Sequence, residues 1–558
     1  MVEYFSDTYD FKLLKNHIHN DPICDWFEIQ SHLHANFNKD KNDYFKKYIQ
    51  KISADYINNF IKNIIKNANI FYPNIVFSEL NNINNSIQQI KNNIPLIINP
   101  ILLNNKYNLI VRCHIMIKKK LFKQIFNKIN NIQLDIIQNN DYLIINIIPS
   151  TLQFKADTRE VCNNNNIFFN KCQLYIFNSA LRQYINRNNY YFLLGKEYKH
   201  NDIKLNKQEY IGLVIYNDIF RTTVIQAINW LNRLKTNSHK FRISPDPECF
   251  ELYPNMNNKQ TCWETEKKII AERIKEITLI WRISYKDRNN LIVNNIKSWD
   301  NPYLLNNLYE LKDSTTKDIQ EKIINMNKYD NLIVEPRKTI SQEFKDILRI
   351  DYNEIVLDIE SMLHLEENTN YFDDGLESNK DLPDICIIGN ILLKNNNFVS
   401  FKDYTIENLS IQSEKDNIIN WIKFISKYDK IKIYHWGHAE KTYMNNIKKK
   451  YPDIIFPEII LIDLLHYFRS EPIIIKDCFN FSLKTIGKNM YKHGLIKTTW
   501  SDTDNGLDAM IKFKEICLNN DKNIPIKRYT EVAEIIEYNK MDCVILMEIL
   551  QYLRKKYL

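Results

Sequence analysis

The run Glu354-Ile355-Val356-Leu357-Asp358-Ile359-Glu360-Ser361 constrains this chain more than any other. It reads as a short buried strand carrying two acids two residues apart. Side chains alternate faces along a strand, so Asp358 and Glu360 point the same way. Two carboxylates on one buried face repel each other and lose hydration. A divalent cation between them is the usual remedy. An isolated Asp-x-Glu also suits an edge strand whose acidic face meets water, so the pair gains meaning only from what accompanies it.

The chain has 558 residues, too many for one compact core, and two to four domains are expected. Asn, Ile and Lys are abundant and Gly is rare, a bias that points to an AT-rich genome, cellular or viral. The net charge of +8 is mild for this length; it permits binding to a polyanion without requiring it. The ten cysteines form no Cys-x-x-Cys, and several sit inside apolar runs. Met1-Val2-Glu3-Tyr4-Phe5-Ser6-Asp7 has neither the basic nor the apolar region of a signal peptide. Reduced, buried thiols in an intracellular protein of the cytoplasm or nucleus are expected, without a zinc site or disulfide framework. No apolar stretch reaches the length of a membrane span.

Taken in order, residues 1–90 read as helical. Strands are expected at Leu109–Ile117 and Asp141–Ile148, a helix at Gln173–Ile185, and strands at Tyr190–Leu194 and Tyr210–Tyr216. Ala227–Leu234 reads as a helix and Trp263–Ile283 as one long amphipathic helix. Trp230, Trp263 and Trp281 read as core aromatics. Residues 284–345 are polar and poorly periodic, with Pro302 and Pro336, and read as the junction between halves. The second half alternates more clearly. Strands are expected at 354–361, 384–394 and 397–403, the last two joined as a hairpin by Lys394-Asn395-Asn396-Asn397. A helix over 413–427, a strand at Ile431–Trp436, a helix near 438–449, a strand at Ile459–Leu465 and a final helix at about 529–554 follow. Three antiparallel strands, then helix, strand, helix and strand, is the order of a ribonuclease-H-like fold.

Three further sites join the opening pair. Tyr434-His435-Trp436-Gly437-His438-Ala439-Glu440 runs from a strand end into a helix. Asp463 lies in Leu461-Ile462-Asp463-Leu464-Leu465. Tyr538-Asn539-Lys540-Met541-Asp542-Cys543 lies in the last helix, where Tyr538 and Asp542, four apart, share a face.

These residues resemble the DEDD superfamily of 3′–5′ exonucleases, which carries Asp-x-Glu on its first strand and Tyr-x-x-x-Asp on a late helix. They are more similar still to the ribonuclease-H-like nuclease domain found fused behind a RecB-like domain. That relative has a His-Trp/Tyr-Gly…Glu motif, a Ser-Leu-Lys stretch and a Tyr-Asn-x-x-Asp-Cys ending, matched here by His435 to Glu440, Ser482-Leu483-Lys484 and Tyr538 to Cys543. The resemblance spans about residues 350–555. It implies that Asp358, Glu360, Glu440 and Asp542 hold two Mg²⁺ or Mn²⁺ ions, with Tyr538 orienting the attacking water or helping take its proton. Glu440 stands where many DEDD enzymes have Asp, and the closer relatives share the Glu. Asp463 either supports the ligands or is an alternative ligand. His435 and His438 lack Cys partners, so packing or hydrogen bonding to the site is expected of them and not zinc binding. Lys484 either touches a phosphate or is solvated.

The first half resembles the fusion partner, a PD-(D/E)xK nuclease domain, around Asn108–Arg112, Ile145–Leu152 and Gln173–Asn178. Where that family has catalytic groups this chain has Asn108, Asn146 and Ile148. An amide carries no charge for Mg²⁺, and isoleucine cannot replace lysine. The expected organisation is an inactive RecB-like α/β domain at 1–240, a helical connecting region at 241–345 and a ribonuclease-H-like nuclease at 346–558. The expected function is a metal-dependent 3′–5′ exonuclease on DNA or RNA acting at a single-stranded 3′ end, with a protein partner a further role for the N-terminal domain. The rivals are a nucleic-acid-binding or structural protein on inactive nuclease folds, and a structure-specific endonuclease.

Overall fold

The computed structural model describes every residue except 1, 34–36, 41–43, 74–81, 133–140, 186–189, 202, 260, 309–313, 330–331, 337–338, 352, 363–381, 429, 502–505 and 520–523. The chain divides into two compact units. Among the described residues, one comprises those within 1–42 and 49–276; the other comprises those within 44–48, 277–362 and 382–558. Among the described residues, no helix is long and apolar enough to cross a membrane.

Among its described residues the N-terminal unit holds two sheets. In the larger, Tyr142–Gln153 pairs antiparallel with Ile115–Lys118 on one side and parallel with Tyr190–His200 on the other. Its run Leu143–Ile147 is buried throughout, as a strand covered on both faces requires. The smaller sheet brings together Tyr9–Asp10, Leu109–Arg112 and Ile101–Asn104. The helix Asn165–Leu181 packs on strands of both sheets. Its start is capped by Asn164, whose side chain accepts from the Ile167 amide at 2.9 Å. A wholly buried Lys267–Asp21 ion pair (2.8 Å) ties residues late in this unit to its beginning.

Several expectations need correction. Leu109–Ile117 is not one strand: it breaks at Cys113-His114, and its halves join different sheets. Tyr210–Tyr216 keeps only Gly212–Leu213 as strand. Trp263–Ile283 is not one helix. The helix Glu264–Arg273 ends with Lys275 in the left-handed region (φ 55°), where the Glu276 amide bonds to the Ala271 carbonyl and the Lys275 amide to Glu272. This is a glycine-type helix stop made with lysine, which is why the sequence hides it. Residues 284–345, polar and poorly periodic in sequence, lie within the stretch expected to be a helical connecting region. They contain helices Tyr285–Val293, Leu304–Leu308, Ser314–Lys328 and Gln342–Leu348, the first opened by a reciprocal Ser284–Asp287 capping box.

The second half of the C-terminal unit forms in the expected order. Strand β1 (Asn353–Ser361) pairs antiparallel with β2 (Ile385–Lys394), which pairs antiparallel with β3 (Asn397–Thr405). Helix α1 (Ile411–Ile425) leads to β4 (Lys430–His435), parallel to β1. Helix α2 (Ala439–Lys450) leads to β5 (Glu458–Asp463), parallel to β4. Among the described residues, α-helices α3 (Leu464–Ser470), α4 (Leu483–Lys492), α5 (Gly506–Asn519) and α6 (Thr530–Tyr557) follow. The sheet order is β3-β2-β1-β4-β5, the ribonuclease-H-like arrangement. At the β2–β3 turn Asn395 and Asn396 both take positive φ, as a two-residue hairpin of matching twist demands.

Alternation along β1 sorts its side chains. Ile355, Leu357 and Ile359 enter the core formed with α1 and α2, while Val356 enters the core formed with α6. Asp358 and Glu360 share parity with Val356, so they face the α6 side.

Helix α6 is fastened to this face by a buried ion pair. Arg554 donates to Glu354 at 2.6 Å, to the Leu348 carbonyl at 2.9 Å, to Asn396 Oδ1 at 2.6 Å and to the Tyr434 hydroxyl at 3.1 Å. Both charged side chains are almost fully excluded from solvent. Removing one partner of such a pair strands the other. Arg554→Met should therefore lower unfolding free energy by about 3–5 kcal/mol, and adding Glu354→Gln should recover part of the loss. Urea denaturation of the unmodified chain and the two variants checks this. A single-variant cost within experimental error of zero would show that α6 is held some other way.

Candidate active site

Strand β1 delivers Asp358 and Glu360, and α6 delivers Asp542. Each can place a carboxylate oxygen so that all three lie within 4.8 Å of one another. Among the described residues this is the one group of three or more His, Cys, Asp or Glu side chains so arranged. The close docking of α6 makes it possible. Asp358 lies opposite Gly389 in the β1–β2 register. A Cβ on Gly389 would fall 1.6 Å from Asn539 Oδ1, so only glycine admits Asn539 there. Asn539 then donates to Asp358 Oδ2 at 2.6 Å and, one turn along, Cys543 reaches the Gly389 carbonyl at 3.6 Å.

Asp542 has its own support. Trp500 Nε1 donates to Asp542 Oδ1 at 2.5 Å, with the indole buried against Gly487 of α4.

Electrostatics here is unfavourable without a cation. Burial, then the charges of Glu360, Asp542 and Glu440, push the Asp358 carboxyl well above the usual carboxylate range; the Asn539 hydrogen bond opposes this. Burial and the neighbouring Asp542 and Glu440 raise Glu360 to about 7, against a downward pull from Lys484. Oxygen donors under mutual repulsion fit a hard divalent ion such as Mg²⁺ or Mn²⁺.

Glu440 is buried at the start of α2, near enough to act on both strand acids yet outside the group of three. Its Oε2 stands 3.3 Å from His435 Nδ1, and neither atom has a hydrogen bond of acceptable geometry among the described residues. The turn between them needs Gly437, at φ +100°. Asp463 secures this turn: its Oδ1 accepts the Gly437 amide at 2.8 Å and the Leu465 amide at 2.9 Å, capping α3 as well. Asp463 thus braces the strand ends and stands apart from the three clustered acids. His438 is exposed at the start of α2. Tyr538 packs at the edge of the α6 core, with Lys484 Nζ 5.1 Å from its ring centroid.

In the N-terminal unit Asn146 and Ile148 are buried neighbours on one strand. Asn146 accepts from the His114 amide (3.2 Å) and donates to Asn170 (2.9 Å) and Gln173 (3.0 Å). Asn108 is not beside them. It sits at φ 51° ahead of a strand in the smaller sheet, its carbonyl accepting from the Tyr9 amide at 3.0 Å. His114 accepts the Ile147 amide at 2.8 Å through Nδ1, and burial lowers its pKa to about 4, so the ring stays neutral.

The sequence motifs alone assign no role to Asn539, Gly389 or Trp500. Asn539 lies within the Tyr-Asn-x-x-Asp-Cys ending and is open to assignment from it. Gly389, one of eight glycines in the chain, gives a faint signal, and Trp500 gives none.

The sheet order and its acidic cluster define a ribonuclease-H-like domain. A family model agrees: residues 371–554 match RNase_H_2, of the RNase_H superfamily. The match includes Glu440, Tyr538 and Asp542, begins after β1 and covers about a third of the chain. No curated protein and no solved structure matches the chain.

The raised acids set a pH dependence. Glu360 titrates near 7 when folded against an ordinary value of 4.5, so the metal-free fold holds a proton that the unfolded chain has released. This contribution to stability is full below about pH 4.5 and is lost as pH rises through 7. Asp358, shifted the same way, adds to it. Calorimetry in EDTA should show melting falling as pH rises from 5 to 8, with a shallower fall in Glu360→Gln. Mn²⁺ should raise Tm by several degrees more at pH 8 than at pH 5.5. An Mn²⁺ shift of equal size at both pH values would contradict the assignment.

Proposed function

We propose that the chain is a metal-dependent nuclease, a 3′–5′ exonuclease hydrolysing phosphodiester bonds of DNA or RNA. The observation that supports this most is the convergence of Asp358 and Glu360 from β1 with Asp542 from α6 on one point. Glu440, buried beside them, is the fourth acid. These residues would hold two Mg²⁺ or Mn²⁺ ions, which when bound supply an activated water and charge stabilisation of the leaving oxygen. The chain's own groups do the rest. Asn539 fixes the Asp358 rotamer, and Trp500 fixes that of Asp542. Tyr538, one turn before Asp542 on the same helix, orients the attacking water. The substrate on this reading is a single-stranded 3′ end.

The N-terminal unit is read as a RecB-like PD-(D/E)xK-type domain without catalysis, retained for binding nucleic acid or a protein partner. In support, the Asn146 side chain is satisfied by the His114 backbone amide, Asn170 and Gln173, and the neutral His114 ring accepts the Ile147 backbone amide.

The test is digestion of 5′-labelled single- and double-stranded DNA and RNA with Mg²⁺, Mn²⁺ or EDTA. A ladder shortening from the 3′ end is expected, lost in EDTA. Asp358→Ala and Asp542→Ala should each reduce the rate by at least about 10³-fold, since metal stabilisation is worth several kcal/mol. Cleavage of circular substrates would instead indicate an endonuclease. Binding without cleavage, unaffected by either substitution, would make the protein a binding or structural module.

A further inference from the structure

Two arginines of the C-terminal unit share one indole. Arg282 Cζ lies 4.5 Å from the Trp281 ring centroid and Arg469 Cζ lies 5.7 Å from it. Among the described residues, neither guanidinium makes an ion pair with a carboxylate. Arg282 reaches the Thr316 hydroxyl at 3.4 Å, and Arg469 Nε is buried with no acceptor. Like charges held together without an anion repel, and an anion entering between them relieves the repulsion. Arg282 also holds φ at 60°, a left-handed backbone that non-glycine residues adopt at a cost. The neighbouring Ile283 is buried, while Arg282 itself stays exposed.

A chain of contacts runs from the pair to the turn that carries Glu440. The Trp281 ring meets Phe481 edge-on at 5.4 Å. The Phe481 carbonyl accepts from Trp436 Nε1 at 3.2 Å, and Trp436 immediately precedes the Gly437 turn that leads to Glu440. Three residues beyond Phe481, Lys484 lies over the Tyr538 ring. Asp463, which braces the Gly437 turn, is the acid whose charge Arg469 feels.

We propose that Arg282 and Arg469, seated on Trp281, form a subsite for a backbone phosphodiester of the nucleic-acid strand whose end enters the carboxylate cluster. Guanidinium forks match phosphate oxygens, so this subsite reads backbone and not base. The identity of the anion as a strand rests on the nuclease reading above.

The experiment uses the full chain carrying Asp542→Asn, in EDTA. Anisotropy of a 5′-fluorescein single-stranded 12-mer is followed across a KCl series. Adding Arg282→Ala or Arg469→Ala should weaken binding about 5–10-fold each. The double change should reduce the slope of log K against log salt by roughly 0.7 for each phosphate that is no longer neutralised. Arg282→Lys/Arg469→Lys should keep the slope while giving up part of the affinity, which separates charge from misfolding. An unchanged Kd and slope in the double-alanine variant would overturn the proposal. So would competition by inorganic phosphate at the oligomer's own strength, which would mark a free-phosphate site. Digestion by the unmodified chain is scored separately. Cleavage with unaltered binding in the double variant removes only the subsite, and weakened binding in the double variant without any cleavage by the unmodified chain removes only the nuclease reading.

Discussion

The C-terminal unit depends on how closely α6 lies on β1 and β2. A 28-residue helix carries the stripe Asn539, Cys543, Leu546, Leu550 and Leu553 toward the sheet. Burial of that stripe supplies the attraction, since each buried aliphatic side chain contributes about 1.5–3 kcal/mol. Polar locks at the two ends set the register. Arg554 engages Glu354 at the start of β1 and the Asn396 side chain in the β2–β3 turn. Asn539 engages Asp358, in a gap that exists because residue 389 is glycine. A slip of one residue would remove Asp542 from the strand acids.

This docking stores electrostatic tension. Asp358, Glu360 and Asp542 are brought together where burial and mutual repulsion raise the first two. A protein without use for a cation gains nothing from that arrangement; three apolar residues would pack there at lower cost. Asn539 and Trp500 lessen the cost by hydrogen bonding to Asp358 and Asp542, and Lys484 lessens it by its charge on Glu360. Glu440 is turned toward His435 and held in place by the turn that Asp463 braces.

Period-two alternation in β1 and the i, i+4 spacing of Tyr538 and Asp542 are legible because each states a face without reference to the rest of the chain. The β2–β3 hairpin is legible from its asparagine turn. The failures share a cause in composition. With so few glycines, left-handed positions fall to other residues: eight of the twelve non-glycine positive-φ positions among the described residues are asparagine. Asparagine is also scattered through helices and strands, so it no longer marks a stop. Lys275 ends a helix with no sequence mark at all, and Cys113-His114 sends one apolar run into two sheets. Trp500 and Arg554 are illegible for another reason. Their roles are long-range pairings, to Asp542 and Glu354, which no local pattern encodes.

At the centre stands the claim that α6 completes a cation site begun on β1. Titration calorimetry of Mn²⁺ into the full chain, beside Asp542→Asn and Glu360→Gln, tests it without reliance on substrate or activity. Saturable binding is expected, weakened at least about tenfold by either substitution, as follows when an anionic oxygen ligand is removed. Equal Mn²⁺ affinity and stoichiometry in all three proteins would show that the acids meet for some other purpose.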